Sequence, residues 1–155
     1  MERVQKTHAG PTDVPEAWNR LTQAVIASAM AVHSELGPGL LERFYELAFC
    51  RELELRKIPF SRQHPIRISY KGAMLGDQFV DLVIADLLVV ELKAVERVSD
   101  THLAQLKCYM RSARLPLGLL LNFNVASLKD GIYRRVLTRD TPIPAAFLPP
   151  DFPSA

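Results

Sequence analysis

Cysteine is scarce in this chain: of 155 residues only Cys50 and Cys108 carry a thiol. Neither has a second cysteine or a histidine at metal-ligand spacing, which excludes a zinc finger or a disulfide scaffold as the organising principle. Both fall in helix-like segments and read as reduced thiols of the core. Long apolar runs are missing as well. None approaches the roughly 20 residues that span a bilayer. The first 15 residues are polar and show no secretory pattern, so the cytoplasm is the default compartment. A strong charge of one sign is also absent, the net value being +2. From Thr101 onward, however, seven Lys/Arg stand against three Asp, a balance of +4 that leaves −2 for the first hundred residues. Such a tilt suits a polyanion near the C-terminal half, and solvated surface charge explains it equally well. There is no internal repeat. With 48% hydrophobic residues, the chain holds enough apolar material for one domain with a core.

Trp18, Leu21, Val25, Ala29, Val32 and Leu36 recur at helical spacing, which predicts an amphipathic helix from Pro15 with Thr12 or Asp13 as its cap. Gly37-Pro38-Gly39 must interrupt it. A second helix follows over residues 40–57, its apolar stripe formed by Leu41, Phe44, Tyr45, Ala48, Phe49 and Leu53. Beyond Pro59, residues 66–70 alternate as a half-exposed strand does. Two aliphatic runs around Asp81 and Glu91 form a hairpin. Ser99 or Asp100 caps a third helix over 101–113, with Leu103, Leu106 and Met110 inward. The very apolar segment 117–123 reads as a central strand. Lys129-Asp130-Gly131 turns the chain into a last strand at 132–137. The expected organisation is a flexible tail at 1–14, one α/β domain at 15–140 and a proline-rich irregular tail at 141–155.

The hairpin carries the residues that most need explaining. Gln78-Phe79-Val80-Asp81-Leu82-Val83-Ile84 and Leu87-Leu88-Val89-Val90-Glu91-Leu92-Lys93 set two carboxylates and an ammonium into apolar strands. Buried without partners they would be costly, and their simplest use is to hold a hard divalent cation and water. Parity decides whether they can. A two-residue loop pairs Asp81 with Val90 and sends the two acids to opposite faces. A three-residue loop or a one-residue bulge pairs Asp81 with Glu91 and puts both on one face, with Lys93 two residues on. Asp81, Glu91 and the Leu92 carbonyl would then offer oxygens to Mg²⁺, with water and a substrate phosphate completing the set. Lys93 would orient the attacking water and neutralise charge building on the phosphoryl oxygens.

Asp81 and Glu91-Leu92-Lys93 across a hairpin, followed by a helix with Gln105 and Tyr109, resemble the PD-(D/E)xK nuclease superfamily, and Gln-x-x-x-Tyr is similar to its exonuclease branch. The stretch from His33 to Tyr45, with Gly39, Glu42 and Tyr45 at the named positions, resembles the small bacterial GxxExxY proteins. The likeness continues through Tyr70-Lys71-Gly72, Val90-Glu91-Leu92-Lys93-Ala94, His102-Leu103-Ala104-Gln105-Leu106, Asn122-Phe123-Asn124 and Leu128-Lys129-Asp130-Gly131. It covers about residues 21–137. The resemblance implies a restriction-endonuclease-like core, a mixed central β-sheet flanked by helices, and Mg²⁺- or Mn²⁺-dependent phosphodiester hydrolysis. It also implies a further helix carboxylate at the metal, for which Glu42 stands in the motif and Glu46 lies one turn on.

Each residue also has a plain reading. Asp81, Glu91 and Lys93 would form a structural ion pair, and Glu42 would be a carboxylate favoured by a helix N-terminus. Gln105 would face solvent, and Tyr109 would be a core aromatic with its hydroxyl at the rim. His102 sits near a helix N-terminus and could approach the site. His33 reads as a packing residue, and Asn122 and Asn124 as turn or cap residues. Arg111, Arg114, Arg134 and Arg135 could neutralise phosphates or merely face water. Two functions therefore stand side by side. One is a Mg²⁺-dependent nuclease acting on DNA in preference to RNA. The other is a non-catalytic nucleic-acid-binding or assembly module with the nuclease fold, working as a homodimer or with a partner protein.

Overall fold

A computed structural model describes residues 14–137. The expected tails, and the caps Thr12 and Asp13, lie outside these residues except for residue 14. The elements run α1 (Glu16–Leu36), α2 (Glu42–Leu55), β1 (Phe60–Tyr70), β2 (Ala73–Ile84), β3 (Leu88–Lys93), α3 (Asp100–Ala113), β4 (Leu117–Asn122), a 3₁₀ turn (Leu128–Gly131) and β5 (Ile132–Val136). The strands form one mixed sheet in the order β1-β2-β3-β4-β5. All neighbours are antiparallel except β3 and β4, which run parallel because α3 carries the chain between them. The expected α/β architecture, a mixed sheet flanked by helices, is the one observed.

Two apolar layers hold it. On one face Trp18, Val25, Ala29 and Val32 of α1 and Tyr45, Phe49 and Leu53 of α2 pack on Leu82, Ile84, Leu88, Val90, Leu92, Leu117, Leu119 and Leu121. On the other, Leu106, Tyr109 and Met110 of α3 pack on Ile66, Val80, Val83, Val89 and Leu120. Strand β4 is fully buried along its length, as its unbroken apolar run requires. Ser99 caps α3: its side chain accepts from the His102 N–H, while His102 Nδ1 accepts from the Ser99 N–H. No side chain caps α1, whose N-cap is Pro15.

The α2 stripe differs from expectation. Leu41 and Phe44 are exposed, while Glu46 and Cys50 are buried beside Tyr45, Phe49 and Leu53. Periodicity alone misplaced part of the inner face because its apolar stripe took in Leu41 and Phe44 and left out Glu46 and Cys50. Cys108 is likewise exposed and not a core thiol, since it falls outside the α3 face made by Leu106, Tyr109 and Met110.

The turn between α1 and α2 is pinned by Tyr45. Gly37 and Gly39 hold left-handed φ values of 65° and 107°, which residues with a Cβ rarely adopt. Tyr45 Oη donates to the Gly37 carbonyl at 2.6 Å and accepts from the Leu40 N–H at 3.1 Å. Its ring stacks on Phe123 with centroids 4.7 Å apart. Because Glu42 opens α2 directly after this turn, Tyr45 also fixes where Glu42 stands. Tyr45→Phe keeps the stack and loses both hydrogen bonds, so a loss of about 1–2 kcal/mol is expected in urea unfolding. An unchanged midpoint would show that the turn needs no such pin.

Candidate active site at the open end of strands β2 and β3

The β2–β3 register is Leu82↔Val90, Val83↔Val89 and Ile84↔Leu88. The loop 85–87 therefore has three residues, the odd parity that the paired acids require. Ala85 and Asp86 both take φ 52°, and the Leu87 N–H closes the turn on the Ile84 carbonyl at 3.0 Å. The next position in this register sets Asp81 against Glu91. There the backbone ladder stops and side chains take it over. Glu91 Oε1 accepts from the Asp81 N–H at 3.0 Å, and Asp81 Oδ2 accepts from the Leu92 N–H at 2.8 Å. Each acid thus satisfies an amide of the opposite strand, and in doing so has one oxygen fixed in direction.

Alternation along β3 places the acids. Leu88, Val90 and Leu92 enter the α1/α2 layer and Val89 the α3 layer, so Glu91 and Lys93 emerge on the α3 side. Strand β2 behaves differently. Leu82 and Ile84 belong to the α1/α2 layer, whereas Val80 belongs to the α3 layer. A regular strand would keep all three even positions on one face, so β2 changes face at Asp81. Strand β1 does the same opposite it: Phe60 joins the α1/α2 layer and Ile66 the α3 layer. The ladder pairs Arg62 with Leu82 and His64 with Val80 and skips Gln63, which has φ 49°. Both strands turn over at the acid.

Charge is crowded here. Burial, then the charge of Asp81, pushes the Glu91 carboxyl up to about 8, against the opposing pull of the Asp81 N–H and of Lys93. Burial also raises Asp81; the Leu92 N–H, Lys93 and the Gln63 amide oppose it, and Glu46 adds to it. Glu42, on the exposed first turn of α2, is raised by partial burial of its carboxyl, opposed first by Lys93, raised further by Asp81 and Glu46, and held down again by the Ala94 backbone amide. Three carboxyls therefore share the field of one ammonium. Lys93 is half-buried and makes no close ion pair with any described carboxylate, so its charge serves the whole group.

Glu46 plays another part. It is 7% exposed, and both its oxygens are taken: Oε2 by Arg62 Nη2 and Nε at 2.9 and 3.3 Å, Oε1 by Gln63 Nε2 at 2.6 Å. Tyr109 is buried in the α3 layer, with its hydroxyl accepting from Gln78 Nε2 at 3.0 Å. Burial, then the nearby Glu91 charge, raises it. Gln105 is exposed, and His102 is committed through Nδ1 to the helix cap. The Leu92 side chain lies in the core, and its N–H orients Asp81. His33 Nε2 meets the Val125 carbonyl at 2.8 Å, a packing role as expected. Asn122 braces the exit of β3: its Oδ1 accepts from the Val95 and Asn124 N–H groups and its Nδ2 donates to the Val95 carbonyl. Sequence reasoning missed Arg62 and Gln63, whose partners lie far along the chain and leave no periodic mark.

Among the described residues no three His, Cys, Asp or Glu side chains converge into a ready-made metal group. The Asp81–Glu91 pair nevertheless fits a hard cation. Two carboxylates of like charge raise each other's proton affinity, and a dication relieves that repulsion. One oxygen of each is aimed by backbone, and the Gln63 amide approaches the Asp81 carboxylate as a further donor. Mg²⁺ characteristically takes one or two protein carboxylates and completes its shell with water and phosphate.

A mixed five-stranded sheet with three flanking helices, and acids paired where two strands part, defines a class of restriction-endonuclease-like proteins. A family model for the PD-(D/E)XK nuclease superfamily matches residues 19–136, and the chain belongs to that superfamily. No curated protein and no solved structure matches it. No helix among the described residues is long and apolar enough to cross a membrane.

Proposed function

We propose that this protein is a metal-dependent nuclease that hydrolyses phosphodiester bonds, DNA before RNA, at the open end of β2 and β3. The observation that carries the reading is the backbone-aimed pair Asp81 and Glu91 with Lys93 at the next same-face position, in a chain of the PD-(D/E)XK superfamily. Asp81 and Glu91 would hold Mg²⁺ or Mn²⁺, which when bound supplies charge stabilisation at phosphorus and a more acidic water. The protein's own residues supply the rest. Lys93 orients the attacking water and offsets charge on the phosphoryl oxygens. Glu42, at the first turn of α2, adds negative potential that makes the site selective for cations. Tyr109 walls the α3 side, and Gln105, exposed on the same helix, would meet phosphate.

Purified protein incubated with single- and double-stranded DNA should cut at least one of them in Mg²⁺ or Mn²⁺ and neither in chelator. Asp81→Asn should cut neither. Cleavage that persists in Asp81→Asn would refute the reading.

One observation favours the non-catalytic module. Both acids already serve as acceptors for strand amides, so they have a structural use without any metal. Calorimetric titration with Mn²⁺ separates the two. The nuclease binds the ion and loses it in Asp81→Asn; the module shows no binding that depends on Asp81 or Glu91.

A further inference from the structure

Gln63 is the residue in β1 that the regular ladder skips, and it sits where β2 presents Asp81. Its φ of 49° lies in the left-handed region, unfavourable for a side chain bearing a Cβ. The conformation has a definite consequence. Successive residues of a strand point to opposite faces. Here Arg62 and Gln63, neighbours in sequence, both reach Glu46 of α2 and between them occupy its two carboxyl oxygens. A left-handed residue at this place turns the second side chain to the side of the first.

The Gln63 amide nitrogen carries two hydrogens. One goes to Glu46 Oε1 at 2.6 Å, and the amide is also near enough to the Asp81 carboxyl to favour its ionised form. Asp81 otherwise has one hydrogen bond, from the Leu92 N–H on Oδ2. We propose that Gln63 is a positioning residue: it braces the Asp81 carboxylate against the Arg62–Glu46 pair on α2 and so keeps it aligned with Glu91. The geometry stands on its own, while its purpose rests on the nuclease reading. Chemistry explains the residue type. A glutamate here would add another negative charge beside Asp81, Glu46, Glu91 and Glu42. A lysine would compete with a cation for the same oxygens. A neutral amide donates without doing either.

The test uses full-length Gln63→Asn, Gln63→Ala and Gln63→Gly. Asparagine tolerates the left-handed backbone but is one methylene too short to bridge. Glycine relieves the backbone and removes the bridge. Gln63 is exposed, so all three should fold, with melting temperatures within about 3 °C of wild type and Gly above Ala. In metal-free protein, hydrogen exchange of the Leu92 N–H should quicken about tenfold in all three, because its acceptor is no longer held. Mn²⁺ affinity should fall by about ten- to a hundredfold, the range seen when a partner of a metal-binding side chain is removed. Unchanged Leu92 exchange in the Asn and Gly variants overturns the proposal, whatever Mn²⁺ does. Faster exchange in a protein whose wild type binds no Mn²⁺ upholds the bracing role and refutes the nuclease reading instead.

Discussion

Lys93→Ala should slow phosphodiester cleavage by about 10²–10³-fold while leaving Mn²⁺ affinity equal or higher. The two halves of that expectation come from one arrangement. The Lys93 ammonium lies among Glu42, Asp81 and Glu91, lowering the proton affinity of each, without a close ion pair to any described carboxylate. It is therefore available to a substrate oxygen or an attacking water, and its removal takes away charge stabilisation that matters most in the transition state. A dication held by Asp81 and Glu91 is repelled by the same ammonium, so the alanine variant relieves rather than weakens its binding. Lys93→Arg should recover little activity, because the broad guanidinium fork distributes charge and donors differently from a compact ammonium. Measured as kcat under saturating Mn²⁺ beside calorimetry, a parallel loss of cleavage and ion affinity would mean that Lys93 acts only by shaping the site.

Glu91→Gln should stabilise the metal-free protein at pH 8 and abolish metal-dependent cleavage. The Glu91 carboxyl is raised from 4.5 to about 8 in the folded protein, chiefly by burial and then by Asp81. A raised carboxyl means that the folded state keeps a proton which the unfolded chain releases. Stability is then fully present below the unfolded value and is lost as pH climbs toward the folded one, by up to about 1.4 kcal/mol per pH unit. Asp81 and Glu42 are shifted in the same direction and steepen the decline. Glutamine keeps the oxygen that accepts from the Asp81 N–H and never ionises, so it removes most of the slope. In chelator, wild type should melt lower at pH 8 than at pH 5. The variant should gain a few kcal/mol at pH 8, on the order of 5–10 °C, and almost nothing at pH 5. Adding Mn²⁺ should restore wild type at pH 8 and leave Glu91→Gln where it was. Equal melting of wild type at the two pH values would remove the basis for this expectation.

Much of this fold was legible in the sequence. The aliphatic runs around Asp81 and Glu91 specify strands, Ser99 announces a cap, and the unbroken apolar segment from Leu117 specifies a central strand. Each is a local signal whose physics acts over a few residues. What escaped reading depends on partners distant in sequence. The strand read at 66–70 in fact begins at Phe60 and runs through Pro65, which β1 tolerates because it is an edge strand. Glu46 stood as a candidate carboxylate at the metal, yet Arg62 and Gln63 take both its oxygens. The reversal of faces at Gln63 and Asp81 has no signature in composition, because alternation simply resumes on the other side.

The three residues that join β2 to β3 set a rule for insertions and deletions. Adding or removing one residue between Leu82 and Val90 would rotate the second acid out of the cleft and into the α1/α2 layer, where Leu92 now packs. Adding or removing two would leave both acids where they stand. Among chains of this superfamily with a simple hairpin here, those that keep the acid pair should therefore differ in this stretch by even numbers of residues. An odd gap in an otherwise good alignment marks either a compensating bulge or a protein that has given up the pair.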